Sequence, residues 1–442
     1  MILINGVVIT NDKDNNFYDK GAVYIKDNII EDVGNSDEIQ KKYPNEEVVD
    51  VKGRVIMPGM ICTHSHIYST YARGMAASRP TDNFYNMLEN QWWTLDRQLT
   101  LEDVKLNGQT MFMESASMGV TTVIDHHSGP HSVTGSLFAL GEAAKEIGMR
   151  ASLCYEVSDR DGLDIRDKEI EENIAWIKQC QKDNHGDMLH GLFGLHASFT
   201  ISDETMEKCR EAMEGVYDGY HVHVAEGIED EWECLKKHNK RVVERLQDFD
   251  ILSERTLAIH NVHVNEREMD ILKHNNTPCV FNPESNMNNA VGCPPILRML
   301  EKGLLVGLGT DAYTNDMFES MKVANILLSH NSCDCTKGFG ETLEMQFQNN
   351  PKILERYFDR PLGKIEKGAY ADIITLDYDP FTPLNKDNWG GHSLFGFTGK
   401  IVNDTIINGK FVYKDKEIQN VDRQAIHAKS RERAAQAIWP KV

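Results

Sequence analysis

From residue 57 onward the chain alternates short apolar runs with longer stretches whose apolar positions recur at helical spacing. The strand-like runs fall at residues 59–63, 120–125, 150–157, 191–195, 220–225, 256–261, 277–282 and 304–310. Helical stretches separate most of them, as at 100–118, 168–183 and 228–249. Such alternation is the mark of βα units. Eight of them in this length predict an α/β fold, a (β/α)8 TIM barrel. The chain ends have another rhythm. Residues 21–30 read as two strands about a turn at Asp27-Asn28, and residues 370–377 and 401–410 read as strands, the second breaking at Asn408-Gly409. The two β-rich ends are expected to pair into one small β-sandwich. The predicted division is 1–56 for the first part of the sandwich, 57–360 for the barrel, and 361–442 for the second part. The last of these carries a charged amphipathic helix over 422–437, expected to pack on the body or on a second subunit.

Composition narrows the function. A length of 442 residues suits a barrel-sized domain with an added module. With 40% apolar residues and no uncharged apolar run of ~18, a membrane span is not expected. The start, Met1-Ile2-Leu3-Ile4-Asn5-Gly6, reads as a strand and not as a signal peptide. Nine cysteines without a C-x-x-C pair point to reduced thiols and a cytoplasmic enzyme. A formal charge of -21 argues against nucleic acid or an anionic membrane as partner. Arg73 and Arg160 form no basic stripe.

The chemistry collects at strand ends. Met57-Pro58-Gly59-Met60-Ile61-Cys62-Thr63-His64-Ser65-His66 ends the first strand, and residues i and i+2 of a strand share a face. His64 and His66 therefore present two imidazoles to one point, as a divalent metal requires. Strand five carries His223 near its end with Glu226 just beyond, strand six ends at His260, and strand eight ends at Asp311. Three imidazoles and a carboxylate make a borderline-hard donor set suited to Zn²⁺, with Fe²⁺ or Mn²⁺ as alternatives. Bound zinc lowers the pKa of water to about 7, giving hydroxide at neutral pH. Asp311 is placed to accept the water proton and Glu226 to deliver a proton to the substrate. Residues 78–99 follow strand one and contain Phe84, Tyr85, Trp92 and Trp93. They are expected to pack on the barrel rim more than to form a stacking platform.

These motifs, with Gly119-Val120-Thr121-Thr122-Val123-Ile124-Asp125, His223-Val224-Ala225-Glu226, Asn282-Pro283-Glu284-Ser285-Asn286 and Gly307-Leu308-Gly309-Thr310-Asp311, resemble the amidohydrolase superfamily. The match is to its cytosine/guanine deaminase and triazine hydrolase branch. Trp92-Trp93-Thr94-Leu95-Asp96-Arg97, Asp125-His126-His127 and Gly194-Leu195-His196-Ala197-Ser198-Phe199-Thr200 are similar to SsnA-type aminohydrolases within it. The resemblance implies that His64, His66, His223 and Asp311 hold one divalent metal. It implies that Glu226 shuttles a proton to a ring nitrogen or leaving group, that His260 orients the attacking water or polarises the substrate, and that His196 reaches the substrate. No lysine ends strand four, so a carbamylated-lysine bridge between two metals is not expected. A homodimer is expected by analogy.

The chain also departs from the pattern. Phe281-Asn282-Pro283 stands where many relatives have His-Asn-Pro, and Glu284 follows it. Glu284 reads either as a solvated loop carboxylate or as a partner for amino and ring N–H groups of a heterocycle. Of His126 and His127, one is expected to cap strand two and the other to face the pocket. Arg160, in Asp159-Arg160-Asp161-Gly162, reads equally as part of a turn and as a hydrogen-bond donor to substrate. Cys333-Asp334-Cys335 reads as an exposed loop. Residues 350–357 replace the usual small-residue helix before the closing strands. The expected activity is deamination of a purine or oxopurine. Hydrolytic ring opening of a cyclic amide at the same site is the alternative, and a metal-free binding protein is disfavoured by the full ligand set.

Overall fold

Strands that are apolar on both faces need cover on both, and a ring of helices supplies it. The protein was analysed as a computed structural model that describes residues 1–182, 188–216 and 218–442. The barrel strands are β1 (Met60–Ser65), β2 (Val120–His127), β3 (Arg150–Tyr155), β4 (Leu189–Gly191 and Phe193–Ala197), β5 (Tyr220–Val224), β6 (Leu257–His260), β7 (Cys279–Phe281) and β8 (Val306–Leu308). Neighbours pair in parallel within two sheets, from β1 to the first piece of β4 and from its second piece to β8. Two bridges close the ring, Val157 to Leu195 and Ser65 to Asp311. The second piece of β4 approaches β3 closely. A Cβ on Gly194 would lie 2.2 Å from the Tyr155 carbonyl oxygen, so only glycine fits there.

Local signals set the helices. Leu101–Ser117 begins with a capping box between Thr100 and Asp103. The single helix predicted over 228–249 is two, Ile228–His238 and Val242–Asp248, because Asn239 takes a left-handed conformation at φ 52° and ends the first. The helix predicted over 168–183 runs Leu163–Lys182, and Asp183 lies outside the described residues. Residues 350–357 plug the barrel floor. Asn350 donates to the carbonyls of Ile61 and Leu308 and accepts from the Leu308 amide, while Leu354, Tyr357 and Phe358 pack against Ile61, Ile124 and Ile259.

Both chain ends build one nine-stranded sheet. Val55–Pro58 pairs antiparallel with Ile373–Leu376, which joins the N-terminal and C-terminal strands. Leu3, Val23, Ile56, Ile373 and Ile406 form its core. One buried ion pair ties this unit to the barrel: Arg150 on β3 donates to Asp372 through Nε at 2.8 Å and Nη2 at 3.0 Å. Asp372 also accepts the Asn408 amide at 2.8 Å. Among the described residues no helix is long and apolar enough to cross a membrane. Asp372→Ala leaves a buried guanidinium without its partner and is expected to cost about 3–5 kcal/mol in chemical denaturation. Arg150→Met combined with Asp372→Leu should recover much of that loss in the same measurement.

Candidate metal centre and substrate cavity

The end of β1 and the turn after β8 are bound to each other through the backbone. The His64 carbonyl accepts the amides of Thr310 and Asp311 at 2.9 and 3.0 Å, and the His66 amide donates to the Asp311 carbonyl at 3.1 Å. This clamp brings Asp311 beside both histidines. Three residues here hold left-handed backbone: Ala225 at φ 47°, His260 at 71° and Asp311 at 57°. Non-glycine residues occupy that region at a cost of about 1–3 kcal/mol each, usually where function requires the side-chain direction. The strain aims His260, Glu226 and Asp311 into one space.

Hydrogen bonds determine which ring nitrogens are free. His66 Nδ1 donates to the His126 carbonyl at 2.6 Å, and His223 Nδ1 donates to the His196 carbonyl at 3.0 Å. While the rings are neutral each Nε2 keeps a lone pair, and the two Nε2 atoms face each other at 3.2 Å. His64 Nδ1 pairs with His221 Nε2 at 2.9 Å, and His64 Nε2 is buried without a partner. Asp311 Oδ1 lies 3.1 Å from His66 Nε2 and 3.7 Å from His64 Nε2. Lone pairs this close repel unless a cation lies among them. A tetrahedral zinc with bonds of about 2.0–2.1 Å has ligand-to-ligand edges of about 3.3 Å. These spacings are near that value, and His64, His66 and Asp311 stand close enough together to share a divalent ion, with His223 beside His66.

Electrostatics agree with this reading. Burial opposes charge on His66, yet the Asp311 carboxylate and then Glu156 hold it up at about 9. Burial likewise opposes charge on Asp311, but its closeness to His64 and His66 holds it well below its ordinary value. The floor of the cavity favours positive charge. Burial and the Asp311 charge push Glu226 up to about 8. Its Oε1 accepts from Asn289 at 3.0 Å, and its Oε2 lies 3.4 Å from His260 Nε2. Asn286 Nδ2 lies 2.9 Å from His260 Nδ1, which places the ring proton on Nε2, facing Glu226 and Asp311. Ser285 Oγ donates to Asp311 Oδ2.

Above the floor lies a cavity. His196 lines it with His66, His223, Glu226 and Asp311. Aromatic rings of Tyr68, Phe84, Trp92, Trp93 and Phe199 form its walls, so the segment expected only to pack on the rim also faces the cavity. Three residues expected at the substrate lie elsewhere. Arg160 pairs with Asp96 and Asp161 and donates to Ser128 at 2.7 Å; it sits behind Trp93, 5.3 Å from the ring centre. Its second reading, as a substrate donor, gives way to the structural one. Glu284 accepts from Ser320 Oγ at 2.7 Å and is absent from the lining, because the helix Pro283–Asn288 turns Ser285 inward instead. His126 lies beneath the centre, stacked on His221 at 4.3 Å, and His127 packs edge-on to Tyr155.

Sequence reasoning passed over two residues. His221 supports His64, and its position two before His223 on β5 was a usable signal. Glu156, just past β3, lines the cavity with Oε1 3.3 Å from His66 Nδ1. It ends a predicted barrel strand, as the metal ligands do.

The sequence model of the amidohydrolase family matches residues 55–412. The chain is 29% identical over 448 residues to a 5'-deoxyadenosine deaminase of Methanosarcina mazei, covering 99% of this chain and 98% of that protein. It is 30% identical to a 5-methylthioadenosine/S-adenosylhomocysteine deaminase of Syntrophomonas wolfei, covering 99% of each. Among solved structures, a zinc-bound adenosine deaminase from Xanthomonas campestris superposes with a TM-score of 0.88 at 21% identity, covering 100% of this chain and 98% of that one. For the metal centre, elemental analysis is expected to find about one zinc per chain after loading. His223→Ala and Asp311→Asn should each lower that content, whereas Glu284→Gln should not.

Proposed function

The chain belongs to the amidohydrolase family and is a hydrolase acting on carbon–nitrogen bonds, and from this we propose that it deaminates a purine or oxopurine at a single zinc site. The observation that carries the reading is the facing pair of His66 and His223 lone pairs, with Glu226 and His260 directed at the same point. His64, His66 and His223 through Nε2, and Asp311 through its carboxylate, hold the ion. When bound, zinc supplies Lewis acidity that makes water a nucleophile near neutral pH.

The residues of the chain divide the remaining work. His260, with its proton on Nε2, hydrogen-bonds the incoming oxygen and aligns it. Glu226 takes one water proton and passes it to the ring nitrogen beside the carbon under attack, which removes charge from the ring as the C–O bond forms. Asp311 Oδ2, steadied by Ser285, accepts the second proton for the departing amino group, so water and the amino heterocycle give the oxo-heterocycle and ammonia. Tyr68, Phe84, Trp92 and Phe199 hold a flat ring by stacking and keep bulk water away. The names of the relatives from Methanosarcina mazei and Syntrophomonas wolfei support a purine over other heterocycles.

Glu226→Gln is expected to retain its metal and lose roughly 10²–10⁴-fold in turnover, the usual worth of acid–base catalysis. Metal retention with near-full activity would overturn the role. A purine panel followed for both ammonia and ring absorbance tests the reaction itself. Loss of ring absorbance without ammonia would indicate ring opening in place of deamination.

A further inference from the structure

We infer that Glu156 reads the ring edge of the substrate, and that the cavity selects a neutral or cationic heterocycle presenting N–H donors at that edge over an anionic one or one with only acceptors there. The inference rests on the reading of this cavity as the deamination site. Glu156 is 4% exposed and lines the cavity, and its Oε1 has no hydrogen-bond partner among the described residues. Its nearest polar neighbours are imidazoles. His66 Nδ1 lies 3.3 Å away but already donates to the His126 carbonyl, His126 Nδ1 lies at 3.6 Å, and His196 Nε2 lies at 4.0 Å. A buried carboxylate without donors is costly to leave unsatisfied, and a bound ligand with donors would satisfy it.

Position decides what the ligand offers. Glu156 stands beside His66 on the cavity floor, where the reacting ring must lie, and not at the mouth where an appended group would extend. It is on the strand-three side, whereas Glu226 follows strand five, so the two carboxylates can engage different edges of one ring. The expectation of a carboxylate partner for ring N–H groups, first attached to Glu284, thus moves to Glu156. Charge points the same way. Among the described residues, no lysine or arginine lines the cavity, while Glu156, Glu226, Asp230 and Asp311 do. The nearest guanidinium, Arg160, is held by Asp96 and Asp161. A carboxylate substrate would meet like charge, and a ring with only acceptors at this edge would leave Glu156 unpaired.

Calorimetric binding to the zinc-loaded protein tests this apart from turnover. The probes are 2-aminobenzimidazole, which has adjacent N–H donors, 1-methylbenzimidazole, which has none, and benzoate. Wild type is expected to bind 2-aminobenzimidazole at least about tenfold more tightly than 1-methylbenzimidazole and to bind benzoate most weakly. Glu156→Gln should weaken only the first by about 10- to 100-fold, the worth of charge-assisted hydrogen bonds, with zinc content unchanged. Equal binding of the two benzimidazoles by wild type would overturn the inference, whether or not the variant folds. So would a variant that binds both as wild type does, or one that loses zinc and both probes together, which would make Glu156 only a support for His66. If the predicted pattern holds while no purine is deaminated, the subsite stands and the proposed reaction falls.

Discussion

Mutual repulsion among buried lone pairs is the constraint around which this barrel is organised. His66 and His223 each commit Nδ1 to a backbone carbonyl, so their Nε2 atoms meet at 3.2 Å with nothing to share but a cation. His64 is held in place by His221, whose Nε2 lies 2.9 Å from its Nδ1. The supporting contacts matter as much as the ligands, because they choose the tautomer and thus which nitrogen faces inward. The carboxylate of Asp311 lies 3.1 Å from His66 Nε2, at the same point.

Holding such a set demands rigidity that short strands alone do not supply. Backbone hydrogen bonds between the end of β1 and the turn after β8 close the barrel at the point where it is chemically loaded. The left-handed residues Ala225, His260 and Asp311 store strain there, and the stability comes from elsewhere. Below the site, Asn350 and the aromatic plug fill the floor. Beside it, the Arg150–Asp372 pair couples the barrel to the sheet formed by both chain ends. The end sheet thereby contributes to the site without touching it.

The cavity above the centre is apolar on its walls and acidic at its floor. That combination suits a flat, uncharged or cationic ring that donates hydrogen bonds, and it separates two tasks between two carboxylates. Glu226 faces His260 and the reacting atoms, whereas Glu156 faces the histidines of the opposite edge. Arg160 is near in sequence to Glu156 but is removed from this chemistry by its aspartates.

The fold and the gathering of these side chains at one rim were legible in the sequence because both follow from periodicity. A repeat of two puts His64 and His66 on one face, and the C-terminal ends of parallel strands must gather at one rim, which brings in His223, His260 and Asp311. Side chains on the loops obey no such period. Arg160 was equally a turn residue or a substrate donor until Asp96, from a distant segment, was seen to hold it, and Glu284 turned to Ser320 because a short helix presents Ser285 in its place. Glu156 had the right position but no motif to mark it. Local sequence determined which residues arrive at the rim; only packing between distant segments decided which way they point, because that direction depends on partners the chain supplies from elsewhere.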